Sequence, residues 1–452
     1  MPDPSPAIEA MVQTRNGALR GVQSGGVRRF LGVPYAAPPK RFEAAQPPGR
    51  WDGPRDACQP GPSAPHRVAD FPGLDVKALV GDGGSRGPDY LTLNIWAPAS
   101  PGPHAVMVFI HGGGFVVGSK DAPVQDGSGF ARSGVVCVAI NYRLGIDGFL
   151  PVPGAPTNLG LRDMLAALGW IQENIEAFGG DPGCVTVFGE SAGAMAIAAL
   201  VTSPLAGGLF HRAIIESGHG SMVREIAIAG RLVKKLARIL KVSPDAGGFR
   251  KVGIEAGLDA IEKISRPTAR IDLRDARGRE PVFGISRFIP VIGDDVLPSH
   301  PLAALRQGAG ADIDILIGTN AEEMNLYMVP TGVRAKIGGL LARYVLSRSQ
   351  PRAGAVLRDY GLGRKGVRAG EALTDALNDL VFRWPARQYA AAHQGSSWFY
   401  EFDWRSPAFG GELGACHALE VPFVFDTLAR ATGPQGLAGD TACSSAATAT
   451  MG

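Results

Sequence analysis

The chain has 452 residues, of which 45% are apolar and 19% are charged, so its composition predicts a globular protein and excludes a disordered one. Its 45 basic and 42 acidic residues leave a formal net charge of +3, which is too small to predict a nucleic-acid or anionic-membrane partner. The longest apolar runs reach six to eight residues, whereas a membrane-spanning helix needs about 18.

The N-terminal segment has neither a basic region nor an apolar stretch of signal-peptide length, so no secretory signal is predicted. The five cysteines are an odd number without metal-ligand spacing, so neither a disulfide framework nor a metal site is predicted. We therefore expect a soluble, cytoplasmic protein that needs no cofactor.

Short apolar runs rich in β-branched residues predict buried strands. They lie at residues 105–110, 135–140, 184–188, 213–216, 313–317 and 397–402. Residues 158–178 carry apolar side chains at helical spacing and end at a Gly-Gly-Asp-Pro sequence, which terminates helices. This alternation predicts the α/β class, with a mostly parallel central sheet and helices on both faces.

The domain organisation is predicted from changes in pattern along the chain. Residues 1–430 are expected to form one α/β domain, in which residues 221–309 and 335–395 are helical insertions that cap the sheet's carboxyl edge. Residues 431–452 are mostly small, and we expect them to form an unpacked C-terminal tail.

A candidate nucleophile follows the strand at 184–188. The sequence Val-Thr-Val-Phe-Gly-Glu-Ser-Ala-Gly runs from a strand into a helix-favouring stretch and places Ser191 at the turn between them. Strand, turn and helix in this order are the context that a catalytic G-x-S-x-G requires, because the strained turn exposes the hydroxyl at a helix N-terminus. The alternative is a tight turn with an incidental serine.

A glycine-rich loop follows the strand at 105–110. Its sequence His-Gly-Gly-Gly-Phe leaves backbone amides unshielded, which suits an anion that forms only in a transition state. We expect the amides of Gly113, Gly114 and Ala192 to form an oxyanion hole, with His111 orienting the loop rather than acting in catalysis. The alternative is a flexible loop without a role.

The general base and its acid should follow the nucleophile in the order serine, carboxylate, histidine. The strand at 313–317 is followed by two adjacent carboxylates, Glu322 and Glu323, and the pattern alone does not choose between them. Four histidines follow the serine with enough intervening chain: His219, His300, His393 and His417. His393 ends a helical run, where histidines commonly satisfy carbonyl groups, so His417 in a glycine-rich loop is the better candidate.

With these residues in view, the chain resembles the carboxylesterase type B family, which includes cholinesterases and bacterial broad-specificity esterases. The matching motifs include Gly-Val-Pro-Tyr-Ala-Ala-Pro at 32–38, His-Gly-Gly-Gly-Phe at 111–115, Asn-Tyr-Arg-Leu-Gly at 141–145 and Gly-Ala-Cys-His at 414–417. The resemblance implies an α/β-hydrolase fold and assigns Glu323 as the acid. It also implies that Glu190 and Ser217 support the triad without reacting.

The resemblance and the motifs together predict a serine carboxylic-ester hydrolase that works through an acyl-enzyme on small to medium, uncharged, apolar esters. Its partners would be the ester and water, and the chain would be a monomer or small homo-oligomer. Residues 64–90 contain no tryptophan, the residue with which cholinesterases hold quaternary ammonium, so choline esters are not expected substrates. The alternatives are an amidase or carbamate hydrolase with the same triad, and a non-catalytic binding protein on the same scaffold.

Overall fold

The protein is organised around a large β-sheet, and a computed structural model describes residues 7–83, 87–266, 269–280 and 285–440. Numbered in chain order, the strands are β1 (Ile8–Gln13), β2 (Ala18–Ser24), β3 (Val27–Pro34), β4 (Arg55–Asp56), β5 (Thr92–Pro98), β6 (His104–Ile110), β7 (Val136–Ile140), β8 (Gly180–Glu190), β9 (Arg212–Glu216), β10 (Arg224–Glu225), β11 (Val291–Ile292), β12 (Asp314–Asn320) and β13 (Ser397–Phe402).

Eleven of these strands form one sheet within the described residues, in the order β1-β2-β3-β5-β7-β6-β8-β9-β12-β13, with β4 beside β2. In this order, the first four neighbouring pairs, from β1 as far as β7, are antiparallel. The remaining pairs, from β7 as far as β13, are parallel. Strands β10 and β11 form a separate parallel pair. The predicted α/β fold with a mostly parallel central sheet is therefore confirmed.

The antiparallel strands near the N-terminus escaped prediction because they are not continuous apolar runs. In β1, only Ala10 and Val12 are buried, and the residues between and beside them are exposed. Such alternation is expected of an edge strand that has one face on the core and the other in water. A search for fully buried strands passes over it.

The helices surround the sheet and vary widely in length. They are α1 (Lys77–Val80), α2 (Ser128–Arg132), α3 (Gly145–Phe149), α4 (Leu159–Asn174), α5 (Ala192–Leu200), α6 (Ile226–Leu240), α7 (Ala246–Arg250), α8 (Ile254–Ser265), α9 (Pro301–Arg306), α10 (Asn325–Met328), α11 (Val333–Lys336), α12 (Gly339–Ser347), α13 (Ala353–Asp359), α14 (Ala369–Leu377), α15 (Trp384–Ala392) and α16 (Val421–Val424).

Both faces of the central strands are buried, which explains their unbroken apolar sequences. In β6, Val108 and Ile110 belong to one apolar cluster, and Phe109 between them belongs to a second. Helix α5, whose nine residues are all buried, packs against β8 and β9. The strand ends beside this helix are therefore held rigidly, as a catalytic constellation requires.

The two predicted insertions contain most of the remaining helices. Residues 221–309 hold α6 to α9 with the small sheet, and residues 335–395 hold α12 to α15. Part of the predicted tail, residues 431–440, is packed: Leu437 and Ala438 are buried in the second cluster, and the Ser406 hydroxyl donates to the Leu437 carbonyl at 2.6 Å. Residues 441–452 lie outside the described residues. No helix in the described ranges has the length and apolar character needed to cross a bilayer.

Candidate active site

Ser191 lies in a sharp turn between β8 and α5. Its φ of 55° and ψ of −121° place it in a region that residues other than glycine rarely adopt, so the turn is strained. A Cβ atom at Gly189 or Gly193 would come within 2.5 Å or 1.9 Å of the Ile110 carbonyl oxygen. Only glycine fits at these two positions, and the turn presents the serine hydroxyl at the N-terminus of a buried helix.

Three side chains that are distant in sequence meet at this turn. The Nε2 atom of His417 lies 2.8 Å from the Oγ atom of Ser191, and its Nδ1 atom lies 2.6 Å from an Oε atom of Glu323. The other carboxylate oxygen of Glu323 accepts a hydrogen bond from the Asn320 amide at 2.8 Å. All three side chains are buried, and they come from segments that follow β8, β12 and β13, whose carboxyl ends share one edge of the sheet.

The other candidates from the sequence have different partners. Glu322, next to Glu323, forms an ion pair with Arg405 and accepts a hydrogen bond from the Ala415 amide at 2.9 Å. The ring of His393 lies between the Ser397 hydroxyl and the Gly310 carbonyl, each 2.8 Å away. His219 accepts a hydrogen bond from the Ser221 amide, and its Nε2 atom lies 2.7 Å from the Val381 carbonyl. His300 accepts from the Leu302 amide at the start of α9. Of the four histidines, only His417 reaches the serine.

The three amides predicted for the oxyanion hole remain available. Gly113 and Gly114 have φ values of +99° and +61°, and Ala192 is the first residue of α5. Within the described part of the chain, no group accepts a hydrogen bond from the amides of these three residues. Gly113, Gly114 and Ser191 all line the same cavity, so an anion beside the serine would be within reach of the loop.

The carbonyl groups of the loop are held from the opposite side. The Gly112 carbonyl accepts a hydrogen bond from the Nδ1 atom of His111 at 2.9 Å, and the Gly113 carbonyl accepts from the amides of Val116 and Val117. Because C=O and N–H point in opposite directions in a trans peptide, holding these oxygens also orients the amides of Gly113 and Gly114.

His111 is itself fixed by Tyr142. The two rings stack with centroids 4.4 Å apart, and the Tyr142 hydroxyl donates to the His111 carbonyl at 2.8 Å. Burial lowers the pKa of His111 to about 3, so the ring stays neutral at physiological pH. These contacts orient the loop. Among the described hydrogen bonds, none joins His111 to Ser191 or His417.

Buried carboxylates surround the triad. Ser191 donates its amide to the Glu216 carbonyl at 2.9 Å, and Glu216, Glu190 and Glu420 are all buried. Burial raises the pKa of each of these three carboxyl groups above its ordinary value. Ser217 is fully buried with a φ of 53°, and its hydroxyl has no hydrogen-bond partner among the described residues.

Sequence reasoning missed three residues of this cluster: Glu216, Glu420 and Asn320. The Asn320 side-chain amide donates to the Cys416 carbonyl at 2.7 Å and to the Glu420 carboxylate at 2.5 Å, and so joins β12 to the loop that carries His417. For Glu420, the sequence signal was its position three residues after His417, and this spacing did not indicate that the carboxylate is buried beside the histidine.

The pKa of His417 leads to a prediction for the pH dependence. Burial alone would lower this pKa, but the carboxylates of Glu190, Glu323 and Glu420 outweigh it and raise the pKa to about 9. A base must be neutral, so kcat/KM should fall with decreasing pH along a limb that lies above the ordinary imidazole value of about 6.5. Glu190→Gln removes the carboxylate 3.0 Å from Nε2 and should move this limb to lower pH, as a pH–rate profile would record.

Glu176 is exposed on the surface, so Glu176→Gln serves as the control and should leave the pH of the acid limb unchanged. An acid limb that does not move in Glu190→Gln, or that moves to higher pH, would contradict the assignment of the raised pKa to this carboxylate.

A cavity of about 760 Å³ opens at Ser191 and His417. Its walls are mainly apolar and include Val68, Phe71, Leu79, Phe109, Val117, Leu258, Ile261, Ile285 and Leu326. The charged lining residues other than Glu190 and His417 are exposed side chains: Arg67, Asp70, Glu262 and Arg266. The space beside the serine therefore favours an uncharged, apolar molecule.

These features, a serine elbow on a mostly parallel sheet with a histidine and a carboxylate at the same edge, are those of an α/β-hydrolase. The model of the Carboxylesterase family matches residues 8–444. The para-nitrobenzyl esterase of Bacillus subtilis (strain 168) is 38% identical over 436 residues, covering 92% of this chain and 83% of its own. The phenmedipham hydrolase of Pseudarthrobacter oxydans is 34% identical, covering 94% and 84%.

Solved structures agree with these matches. A PNB esterase superposes with a TM-score of 0.81 at 32% identity, covering 98% of this chain and 88% of that one. The carboxylesterase EST55 of Geobacillus stearothermophilus superposes with a TM-score of 0.80 at 32% identity, covering 97% and 87%. The chain belongs to the carboxylesterase family and is a carboxylic ester hydrolase.

Proposed function

We propose that the protein hydrolyses carboxylic esters through an acyl-serine intermediate, with Ser191 as nucleophile, His417 as general base and Glu323 as the acid that orients it. The observation that carries this proposal is the position of the His417 ring, whose two nitrogens lie 2.8 Å from the Ser191 hydroxyl and 2.6 Å from the Glu323 carboxylate. One ring nitrogen can therefore take the serine proton while the other is held in the required tautomer.

In the first half of the reaction, the Ser191 oxygen attacks the ester carbonyl carbon and its proton passes to Nε2 of His417. The amides of Gly113, Gly114 and Ala192 hold the oxyanion of the tetrahedral intermediate. The bond to the alcohol oxygen then breaks, and His417 returns the proton to that oxygen. In the second half, water attacks the acyl-serine by the same route and releases the carboxylic acid and the free hydroxyl.

The proposed substrates are small to medium, uncharged, apolar esters. The mainly apolar walls of the cavity support this class, because a charged acyl or alcohol group would lose hydration there without a partner. A volume of about 760 Å³ is within the range of pockets that enclose drug-sized ligands, so the site also has room for an aromatic alcohol group.

An ester panel tests this proposal. The panel keeps one leaving group while the acyl chain grows, in p-nitrophenyl acetate, butyrate, hexanoate and decanoate. The p-nitrophenyl half-ester of succinic acid (the monosuccinate) adds a carboxylate to the acyl group. We expect turnover of the uncharged esters and a kcat/KM for the monosuccinate at least about tenfold below that of butyrate, because burial of an unpaired carboxylate is unfavourable. Equal or faster turnover of the charged ester would contradict the proposed substrate class.

A carbamate or amide hydrolase is the second candidate. One of the relatives favours this candidate: the phenmedipham hydrolase, whose sequence is 34% identical over 436 residues. The triad chemistry does not depend on the leaving group, so the two candidates differ only in kinetics. Assaying p-nitrophenyl butyrate, the matching anilide and the matching N-methylcarbamate on one preparation would separate them, and we expect the ester to have the highest kcat/KM.

A further inference from the structure

A serine far along the chain contacts the glycine loop beside the nucleophile. The Ser286 hydroxyl lies 2.6 Å from the Gly114 carbonyl, across a sequence separation of 172 residues. It also lies 3.0 Å from the Phe288 carbonyl, but a serine has only one hydroxyl hydrogen. The shorter contact identifies Gly114 as the acceptor. The neighbouring Ile285 lines the cavity, so this segment forms part of the cavity wall.

Ser286 lies in a segment that several hydrogen bonds hold in place. Its oxygen accepts a hydrogen bond from the Phe288 amide at 3.2 Å, and Phe288 is completely buried in the main apolar cluster. The Arg224 guanidinium donates to the Arg287 carbonyl at 2.9 Å, and the Arg224 amide donates to the Pro290 carbonyl at 3.0 Å. The segment that carries the hydroxyl is therefore anchored by hydrogen bonds at Arg287, Phe288 and Pro290, and its contact with Gly114 can restrain the loop.

Gly114 needs such a restraint. Its φ of +61° is readily reached by glycine, but a residue without a side chain has no local preference that would hold this conformation. The peptide before Gly114 is held by the amides of Val116 and Val117 at the Gly113 carbonyl. The peptide after Gly114 has the Ser286 hydroxyl as its only described partner at the carbonyl oxygen. Without the Ser286 contact, Gly114 would be held on one side only, and a shift of its Cα atom would also move the amide on the other side.

We propose that Ser286 is a positioning residue for the oxyanion hole. It anchors the peptide after Gly114 from the cavity wall. The peptide before Gly114, which carries the Gly114 amide, is held at the Gly113 carbonyl, so Ser286 completes the support of Gly114 on its second side and keeps its amide beside the serine. This inference rests on the proposed esterase mechanism, in which that amide is one of three donors. Ser286 does not contact the reacting atoms, so its loss should weaken transition-state binding and leave ground-state binding unchanged.

Kinetics and inhibition of Ser286→Ala test this role. We expect kcat for p-nitrophenyl butyrate to fall about tenfold with KM nearly unchanged, less than the roughly 10²–10³-fold effect of removing a donor outright. The Ki of a trifluoromethyl ketone, which forms a tetrahedral adduct with the serine, should rise by a similar factor. The Ki of benzyl alcohol, a ground-state competitor, should stay the same. Ser286→Thr keeps the hydroxyl and should restore most of kcat.

Ser349→Ala is the matched control, because the Ser349 hydroxyl also donates to a distant carbonyl, that of Glu280 at 2.8 Å, but does not contact the glycine loop. It should leave kcat and both Ki values unchanged. If Ser286→Ala does not fold, as judged by thermal unfolding, Ser286→Cys takes its place with the same expectations, since a thiol is a weaker donor of similar size.

Unchanged kcat in Ser286→Ala, or an equal rise in the Ki of both inhibitors, would overturn the positioning role. Failure of the esterase proposal has a different signature, because then the unsubstituted protein and Ser349→Ala would also fail to hydrolyse any ester in the panel.

Discussion

Ser191→Ala is expected to lower kcat for p-nitrophenyl butyrate by roughly 10⁴–10⁶-fold, the range seen when a serine hydrolase loses its nucleophile. The fold should persist, because alanine keeps the Cβ atom, and the strained backbone at this position is imposed by its neighbours. Steady-state kinetics measures the effect, and thermal unfolding measures the stability.

Active-site labelling gives an independent measurement for the same residue. A fluorophosphonate should modify the unsubstituted protein once, at Ser191, as peptide mass spectrometry would show. Substantial turnover by Ser191→Ala, or a label on another residue, would assign the nucleophile elsewhere.

Glu323→Gln is expected to lower kcat by about 10⁴-fold, since an amide at this position no longer stabilises the imidazolium and can favour the wrong tautomer. The Glu323 carboxylate lies 2.6 Å from Nδ1 of His417 and is completely buried, so no solvent can substitute for it. Glutamine has nearly the same size, and the Asn320 amide can still donate to its oxygen. Loss of activity should therefore exceed any loss of stability.

The adjacent residue provides the control for this prediction. Glu322→Gln removes an ion pair with the half-exposed Arg405, which is worth about 0–1 kcal/mol, and we expect kcat to change by no more than about threefold. If Glu322→Gln and Glu323→Gln lower kcat equally, the loss of activity reflects the stability of this loop and not the role of one carboxylate. If Glu322→Gln has the larger effect, Glu322 and not Glu323 is the acid of the triad.

The choice between Glu322 and Glu323 shows where local pattern stops being informative. Both follow β12 directly, and both are carboxylates at the correct edge of the sheet. The turn after β12 directs Glu323 inward, where the Asn320 amide and His417 hold it, and directs Glu322 toward Arg405 and Ala415. The orientation of two successive side chains depends on the exact path of the turn, and only the resemblance to a known family chose between them beforehand.

The serine elbow, by contrast, was predictable from a few residues. A strand that reverses into a helix at Ser191 needs glycine at positions 189 and 193, because any Cβ atom there would overlap the Ile110 carbonyl. That requirement is steric, and it acts over so short a stretch that the sequence records it directly. Steric exclusion also applies at positions 112 and 113, where a Cβ atom would lie 2.9 Å from the Glu190 carbonyl oxygen and 2.2 Å from the Val117 carbonyl oxygen. At Gly114 a Cβ atom would have space, and only the φ of +61° favours glycine.

The sequence by itself determined the fold class and predicted Ser191 and His417 as the candidate nucleophile and base, because buried strands, a steric turn and the chain order of the partners are all encoded in short segments. Only the tertiary structure decided that the Glu190 carboxylate lies 3.0 Å from the His417 ring, where it raises the pKa of the imidazole, and that the Ser286 hydroxyl lies 2.6 Å from the Gly114 carbonyl. Electrostatic and hydrogen-bond energies change within a few ångströms, and those distances are set by the packing of segments that no local pattern connects.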